Sequence, residues 1–452
     1  MRRRALILIP FVAAVLTVVA TATPAATETK GTLHLFARVP DPGSPEPVLI
    51  APDGSVYTAT LNAESGDTSA PSKVFHFSAD GKLIGQWTIQ GQDMSQEHGL
   101  TGMAMDAEGR LYVGNIAPPS IIRLDPKTGE QSVYAQLRDV PVCSATVTTD
   151  CSKAMRDLKS WPDYLVFTPD GTLYETDSLQ ALIWRIPKGG GKGQVWFTDD
   201  RLQSLTGPPG FGPSAMKLMP DGNTLIFSTV EGPTGDGDPT AGRLWKLPIQ
   251  PDGKPGELKE FYVAQSADAP GGIAFAKSGA IYVNLTGSSQ IAQLSPDGKE
   301  VARFPDPVAN QANNPPLDGP IDVAYHGNSL LVANSAYVSN SSSSWALIDV
   351  FVGEPGISTA VHPSIPGPAP KPLELTVSPA RVTAGKRVRL RFRVTSIGLA
   401  VGGAQVRVGR IHRSTDGHGR ASALVVIRRR GAHRVAARKP GYRPAHATFR
   451  VR

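Results

Sequence analysis

The chain has 452 residues, a net charge of +7 and only two cysteines, and two thiols alone make a poor metal site. The charge is split. From Lys371 onward 20 Lys and Arg stand against two acids, Glu374 and Asp416, a net of +18 that leaves −11 on the residues before it.

Arg2, Arg3 and Arg4 precede an apolar run from Ala5 to Ala20, and small residues continue to Ala26. This pattern over 1–26 reads as a cleaved export signal. The run is shorter than a typical membrane span, and no second apolar stretch of that length occurs in the chain. The expected mature product is a soluble secreted monomer, extracellular or held at the cell envelope.

A repeat organises most of the remaining chain. Its clearest copy is Trp161 to Ser178, WPDYLVFTPDGTLYETDS: an apolar strand, a Pro169-Asp170-Gly171 turn and a second strand. Asp-Gly suits a hairpin because glycine takes positive φ without a Cβ clash. Equivalent turn glycines recur at Gly54, Gly109, Gly222, Gly279 and Gly327. Two further strand-like runs come after each hairpin, giving four strands in roughly 50 residues, the length of a propeller blade. Six blades are predicted, near 45–89, 97–137, 163–199, 214–263, 271–305 and 320–353. The sixth lacks a strand. Leu33 to Val39 (LHLFARV) has no blade of its own, so it is expected to pair there as the outer strand and close the ring.

Cys143 and Cys151 flank SATVTTD in an insertion between the second and third blades. In an exported chain they are expected to form a disulfide. Glu231, Asp236 and Asp238 lie in an insertion of blade four whose spacing is not that of a calcium loop. Residues 357–372 are a Pro-rich linker. Beyond it, over 373–452, LELTVSPARV, RVRLRFRV, AQVRVG, ASALVVIR, HRVAARK and ATFRVR alternate in strand fashion. The expected fold class is therefore all-β: a six-bladed β-propeller over 31–356, then a small, basic, immunoglobulin-like β-sandwich.

That second domain resembles the bacterial immunoglobulin-like or carboxypeptidase-regulatory-like modules, through its AARKPGYRPAHATFRV ending. Its charge suits an anionic cell-envelope polymer, and it equally suits a solvated Arg-rich surface. Nucleic acid is not expected, because few aromatics are available as a stacking platform.

Chemistry is expected on the propeller face opposite the Pro-Asp-Gly turns. The residues just before each inner strand ring the axial funnel there: Glu46, Thr101, Asp163, Ser214, Gly271 and Ile321. The propeller resembles the regucalcin/gluconolactonase/luciferin-regenerating-enzyme family. The matching features are the Trp161–Asp177 segment, Pro45-Glu46-Pro47 before APDG, and six blades of this length. That resemblance implies a divalent cation, calcium by preference, held by Glu46, Asp163 and Ser214. It also implies metal-assisted hydrolysis of a lactone or ester. Gly271 stands where the family places an Asp that serves as ligand and base, so the base is sought at His98, or at Asp318 or Asp322 at the entrance to blade six. Thr101, Asp177 and Asp318 complete the expected pocket. The alternative is a non-catalytic propeller that binds a glycan, small molecule or protein at the funnel. No G-x-S-x-G elbow, phosphate loop or H-E-x-x-H motif is present.

Overall fold

A computed structural model describes residues 28–63, 66–203, 210–232, 238–357, 371–396, 399–439 and 442–452. The export signal, linker residues 358–370 and Asp236 lie outside the described residues.

Six four-stranded antiparallel sheets form the blades. Five run in simple chain order, over 44–88, 100–136, 162–198, 213–266 and 270–304. The sixth takes three strands from 320–351, and its fourth is Leu33–Arg38. That N-terminal strand runs antiparallel to Ala346–Phe351, with Leu33 opposite Val350 and Arg38 opposite Ala346. An edge that would otherwise offer unpaired N–H and C=O groups is covered, and the ring is closed by main-chain bonds. A further short strand, Gly191–Lys192, adds to blade two from blade three, parallel to Gln131–Gln136.

Local sequence dictates each hairpin. In blade three Gly171 sits at φ +88°, open to glycine without strain. Beside it Asp170 Oδ1 accepts from the Thr172 N–H at 3.0 Å and from the Thr168 hydroxyl at 2.6 Å. The turn is held from within, and the two strands leave it in register.

The inner strands of adjacent blades touch around the whole ring. They are therefore buried on both faces, as in Ser44–Ile50 and Pro162–Phe167. Outer strands such as Leu83–Thr88 keep exposed positions. The core is packed between blades. Tyr112 meets Tyr134 and Phe167 edge-on at 4.8 and 4.9 Å between ring centroids. Such pairs each contribute about 0.5–1.5 kcal/mol beyond the area they bury.

The Cys143–Cys151 disulfide is formed, in the insertion before blade three. No helix among the described residues is long and apolar enough to cross a membrane.

The C-terminal residues fold as a β-sandwich. One sheet contains Glu374–Ser378, Arg387–Ser396 and Arg420–Val426; the other contains Ala445–Val451, Gly431–Arg438 and Gln405–Val408. Leu390, Phe392 and Val394 point inward from one strand against Val406, Val435 and Phe449. The alternation of Arg387–Ser396 thus separates an apolar inner face from a charged outer one.

Candidate functional site

Five of the six predicted ring positions share one cavity at the axial mouth. Glu46, Asp163, Ser214, Gly271 and Ile321 line it, with Trp161, Phe211 and Tyr337 as aromatic walls. The cavity measures about 110 Å³. Trp161 and Phe211 meet edge-on at 5.6 Å. Each ring position opens an inner strand, so strand alternation and the sixfold repeat bring them together from blades far apart in sequence.

Asp163 is the electrostatic centre. Its Oδ2 accepts from the Ser178 hydroxyl at 2.7 Å, and the Ser214 side chain also bonds to it. Burial disfavours its charged form more than these bonds favour it, so its pKa is pushed up to about 7. Glu46 is the second carboxyl on the cavity and is 8% exposed.

Tyr164, next to Asp163, is buried. Its hydroxyl donates to the Ile321 carbonyl at 3.2 Å, bridging blade three to blade six across the ring axis. Asp322, the next residue, is buried and accepts from the Val48 N–H at 3.0 Å and the Val323 N–H at 2.8 Å. Burial raises its pKa. Lys217 Nζ stands 3.7 Å from Asp322 Oδ1 and lines a separate, mostly apolar cavity that also includes Val323 and Gly222. Asp322 therefore belongs to the interior of the channel, not to the upper cavity, and is not positioned as the expected base.

The remaining predicted residues are placed elsewhere. His98 is fully buried, with Nδ1 3.1 Å from the Gln96 carbonyl and Nε2 3.0 Å from the Ala70 carbonyl. Both ring nitrogens face backbone carbonyls of two loops, the one that carries the proton donates to its carbonyl, and the ring does not line the cavity. Asp177 accepts from the Ser160 hydroxyl, the Trp161 N–H, the Gln180 amide and the Trp184 indole, all at 2.6–3.0 Å. It is a saturated loop anchor. Asp318 accepts from the N–H and hydroxyl of Ser339 and does the same in blade six. Thr101 is buried beneath the rim rather than on the cavity wall.

Glu175 was not anticipated from the sequence. It is fully buried; its Oε1 accepts the Asp163 N–H at 2.9 Å, and its Oε2 has no hydrogen-bond partner. Burial holds its carboxyl well above the usual range. The signal was present in LYETD, an acid at an inward position of an apolar strand, but turn-and-strand patterning does not separate it from a solvent-facing Glu.

The donor set does not make a calcium cage. The cavity lining offers two carboxylates, Glu46 and Asp163, and the hydroxyls of Ser214, Thr286 and Tyr337, of which Thr286 already donates to the Pro320 carbonyl. Calcium takes six to eight oxygens and gains affinity from carboxylates. Among the described residues no group of three or more His, Cys, Asp or Glu is placed to hold a metal ion. The Gly271 position cannot supply the missing ligand. A Cβ there would lie 2.6 Å from Asn284 Nδ2 and 2.8 Å from the Ile321 carbonyl.

No family model matches the chain, and no curated protein matches it. Among solved structures it is similar to a regucalcin from Agrobacterium tumefaciens, described as a calcium-binding protein, at 14% identity and a TM-score of 0.47, over 73% of this chain and 98% of that one. A virginiamycin B lyase from Staphylococcus aureus is similar at 16% identity and a TM-score of 0.40, over 67% and 82% of the two chains. An aldose sugar dehydrogenase from Streptomyces coelicolor, solved with PQQ, is similar at 15% identity and a TM-score of 0.44, over 72% and 98%. These likenesses assign no activity to this chain.

Proposed function

We propose that the protein is an exported hydrolase of small lactones or related esters, with Asp163 as the general base at the axial mouth. One observation carries this reading: a carboxyl with a pKa of about 7 faces a small cavity beside a second carboxyl, Glu46. A base poised near the working pH combines a useful fraction of the active form with real basicity. Ionised Asp163 takes a proton from water as the water oxygen attacks the carbonyl carbon. The tetrahedral intermediate then collapses, the C–O bond to the leaving alkoxide breaks, and protonated Asp163 returns its proton to that oxygen. Glu46 accepts hydrogen bonds from substrate hydroxyls, and Trp161, Phe211 and Tyr337 pack against its apolar face. Export is supported by the signal pattern over 1–26 and by the Cys143–Cys151 disulfide, since such bonds persist in oxidising compartments.

The test is a pH–rate profile on gluconolactone and phenyl acetate. The rate of the parent should rise through about pH 7, and Asp163→Asn should lose about 10²-fold or more. Calcium titration by calorimetry on the parent, Glu46→Gln and Asp163→Asn runs in parallel. Calcium-dependent turnover that both substitutions abolish would replace the metal-free route.

A second reading is favoured by Gly271, which leaves the ring without a third carboxylate. On it the cavity binds a glycan or other small polar molecule without turning it over. Tight lactone binding with no hydrolysis at any pH would select it.

A further inference from the structure

The cations of the C-terminal sandwich are arranged as well as numerous. Arg387, Arg389, Arg391 and Arg393 are all exposed on the outer face of one strand. Alternate residues of a strand repeat every ~7 Å, which makes this a straight ladder of four guanidinium groups. Neighbouring strands extend it. Arg420 lies directly opposite Arg393, and Ser422 opposite Arg391; on the other side Thr376 faces Arg393 and Ser378 faces Arg391. Together Arg389, Arg391, Arg393, Arg420 and the flanking hydroxyls line a shallow surface groove.

Two features of this groove point outward to a ligand. None of the four ladder arginines makes an ion pair among the described residues. The nearby acid, Asp416, is taken up by the backbone N–H groups of His418 and Arg420, at 3.0 and 2.8 Å. In addition, like charges directly opposite on paired strands are destabilising, as at Arg393 and Arg420. Asp416 lines the same groove and its charge offsets Arg420, but the four ladder arginines have no carboxylate partner among the described residues, so the face gains when an external anion neutralises them.

From this arrangement we infer that the Arg387–Arg393 face is the binding groove for an extended anionic polysaccharide. Guanidinium forks hold its carboxylate or sulfate groups in bidentate fashion, and Thr376, Ser378 and Ser422 bond its hydroxyls. The large apolar residues exposed on this strand set are Leu424 and Val426, not aromatics. The face thus has no platform for stacking bases, which separates a polysaccharide from single-stranded nucleic acid.

The experiment uses the full chain and immobilised polygalacturonate and dextran sulfate, at an ionic strength of about 0.15 M. Arg389→Gln/Arg391→Gln/Arg393→Gln is compared with Arg407→Gln/Arg434→Gln/Arg450→Gln. The second triple removes the same charge from exposed positions of the other sheet. The ladder triple is expected to weaken binding to at least one polymer by about tenfold or more and to flatten its salt dependence. The control triple should stay within about threefold of the parent. Thermal melts of both triples monitor folding, and relief of the Arg393–Arg420 repulsion should leave the ladder variant at least as stable as the parent. Equal losses in the two triples would reduce the effect to bulk charge and overturn the groove. So would no binding to either polymer, or tighter binding to oligo-dT. Retention by only one polymer identifies the anion as carboxylate or sulfate.

Discussion

The backbone N–H of Asp163 donates to Glu175 Oε1 at 2.9 Å, so one buried acid stands directly behind the acid that faces the cavity. The register position that Glu175 occupies in blade three is filled by Thr58, Val113, Phe227, Val283 and Val332 in the other blades. A carboxyl there costs folding free energy unless it keeps its proton. Buried, perturbed acids concentrate at functional sites.

That cost has a pH signature. Burial raises the folded-state pKa of Asp163 to about 7 from an ordinary 3.8, and raises that of Glu175 well above its ordinary 4.5. A carboxyl with a raised folded pKa favours the native state fully below its unfolded pKa, and that contribution is lost as pH rises through the folded value. Between about pH 4 and about pH 7 the melting temperature of the parent should therefore fall relative to Asp163→Asn. Glu175→Gln should also lose part of this fall. Calorimetric scans across the range check it, and parallel curves for parent and both variants would show that neither group titrates with folding.

Gly271 is required by packing as well as by the missing ligand. Its added Cβ would meet Asn284 Nδ2, which is already committed to the Pro320 carbonyl at 2.6 Å. Gly271→Ala should cost about 1–3 kcal/mol in urea unfolding. An unchanged midpoint would mean that blades five and six yield at the rim.

Ring closure is testable by deletion. Without Gly31 to Pro40, the Ala346–Phe351 strand loses its antiparallel partner and presents a bare edge. The expected product lacks a single cooperative melt and forms oligomers in light scattering. A deletion variant that melts like the parent and stays monomeric would refute closure by this strand.

Much of this was legible in the chain. The Asp-Gly turns carry their own geometry, so the hairpins, their recurrence and the blade count arise from local chemistry. The orphan strand Leu33–Val39 could be matched to the incomplete sixth blade by counting. The alternation of RVRLRFRV likewise determined which residues of the sandwich face inward. Five of the six positions named for the cavity ring do line it, because one position per blade recurs at the same point of the repeat, while Thr101 of blade two does not. What local pattern does not carry is where a side chain's bonds go once blades far apart in sequence meet. His98, Asp177 and Asp318 have the chemistry of site residues, yet backbone and side-chain groups of neighbouring loops take up their polar atoms. Glu175 looked like an ordinary strand residue until burial on both sheet faces removed its water. Only the packed ring decided that Asp163 faces a cavity with its charge disfavoured, because desolvation is set by everything around a group and not by its neighbours in the chain.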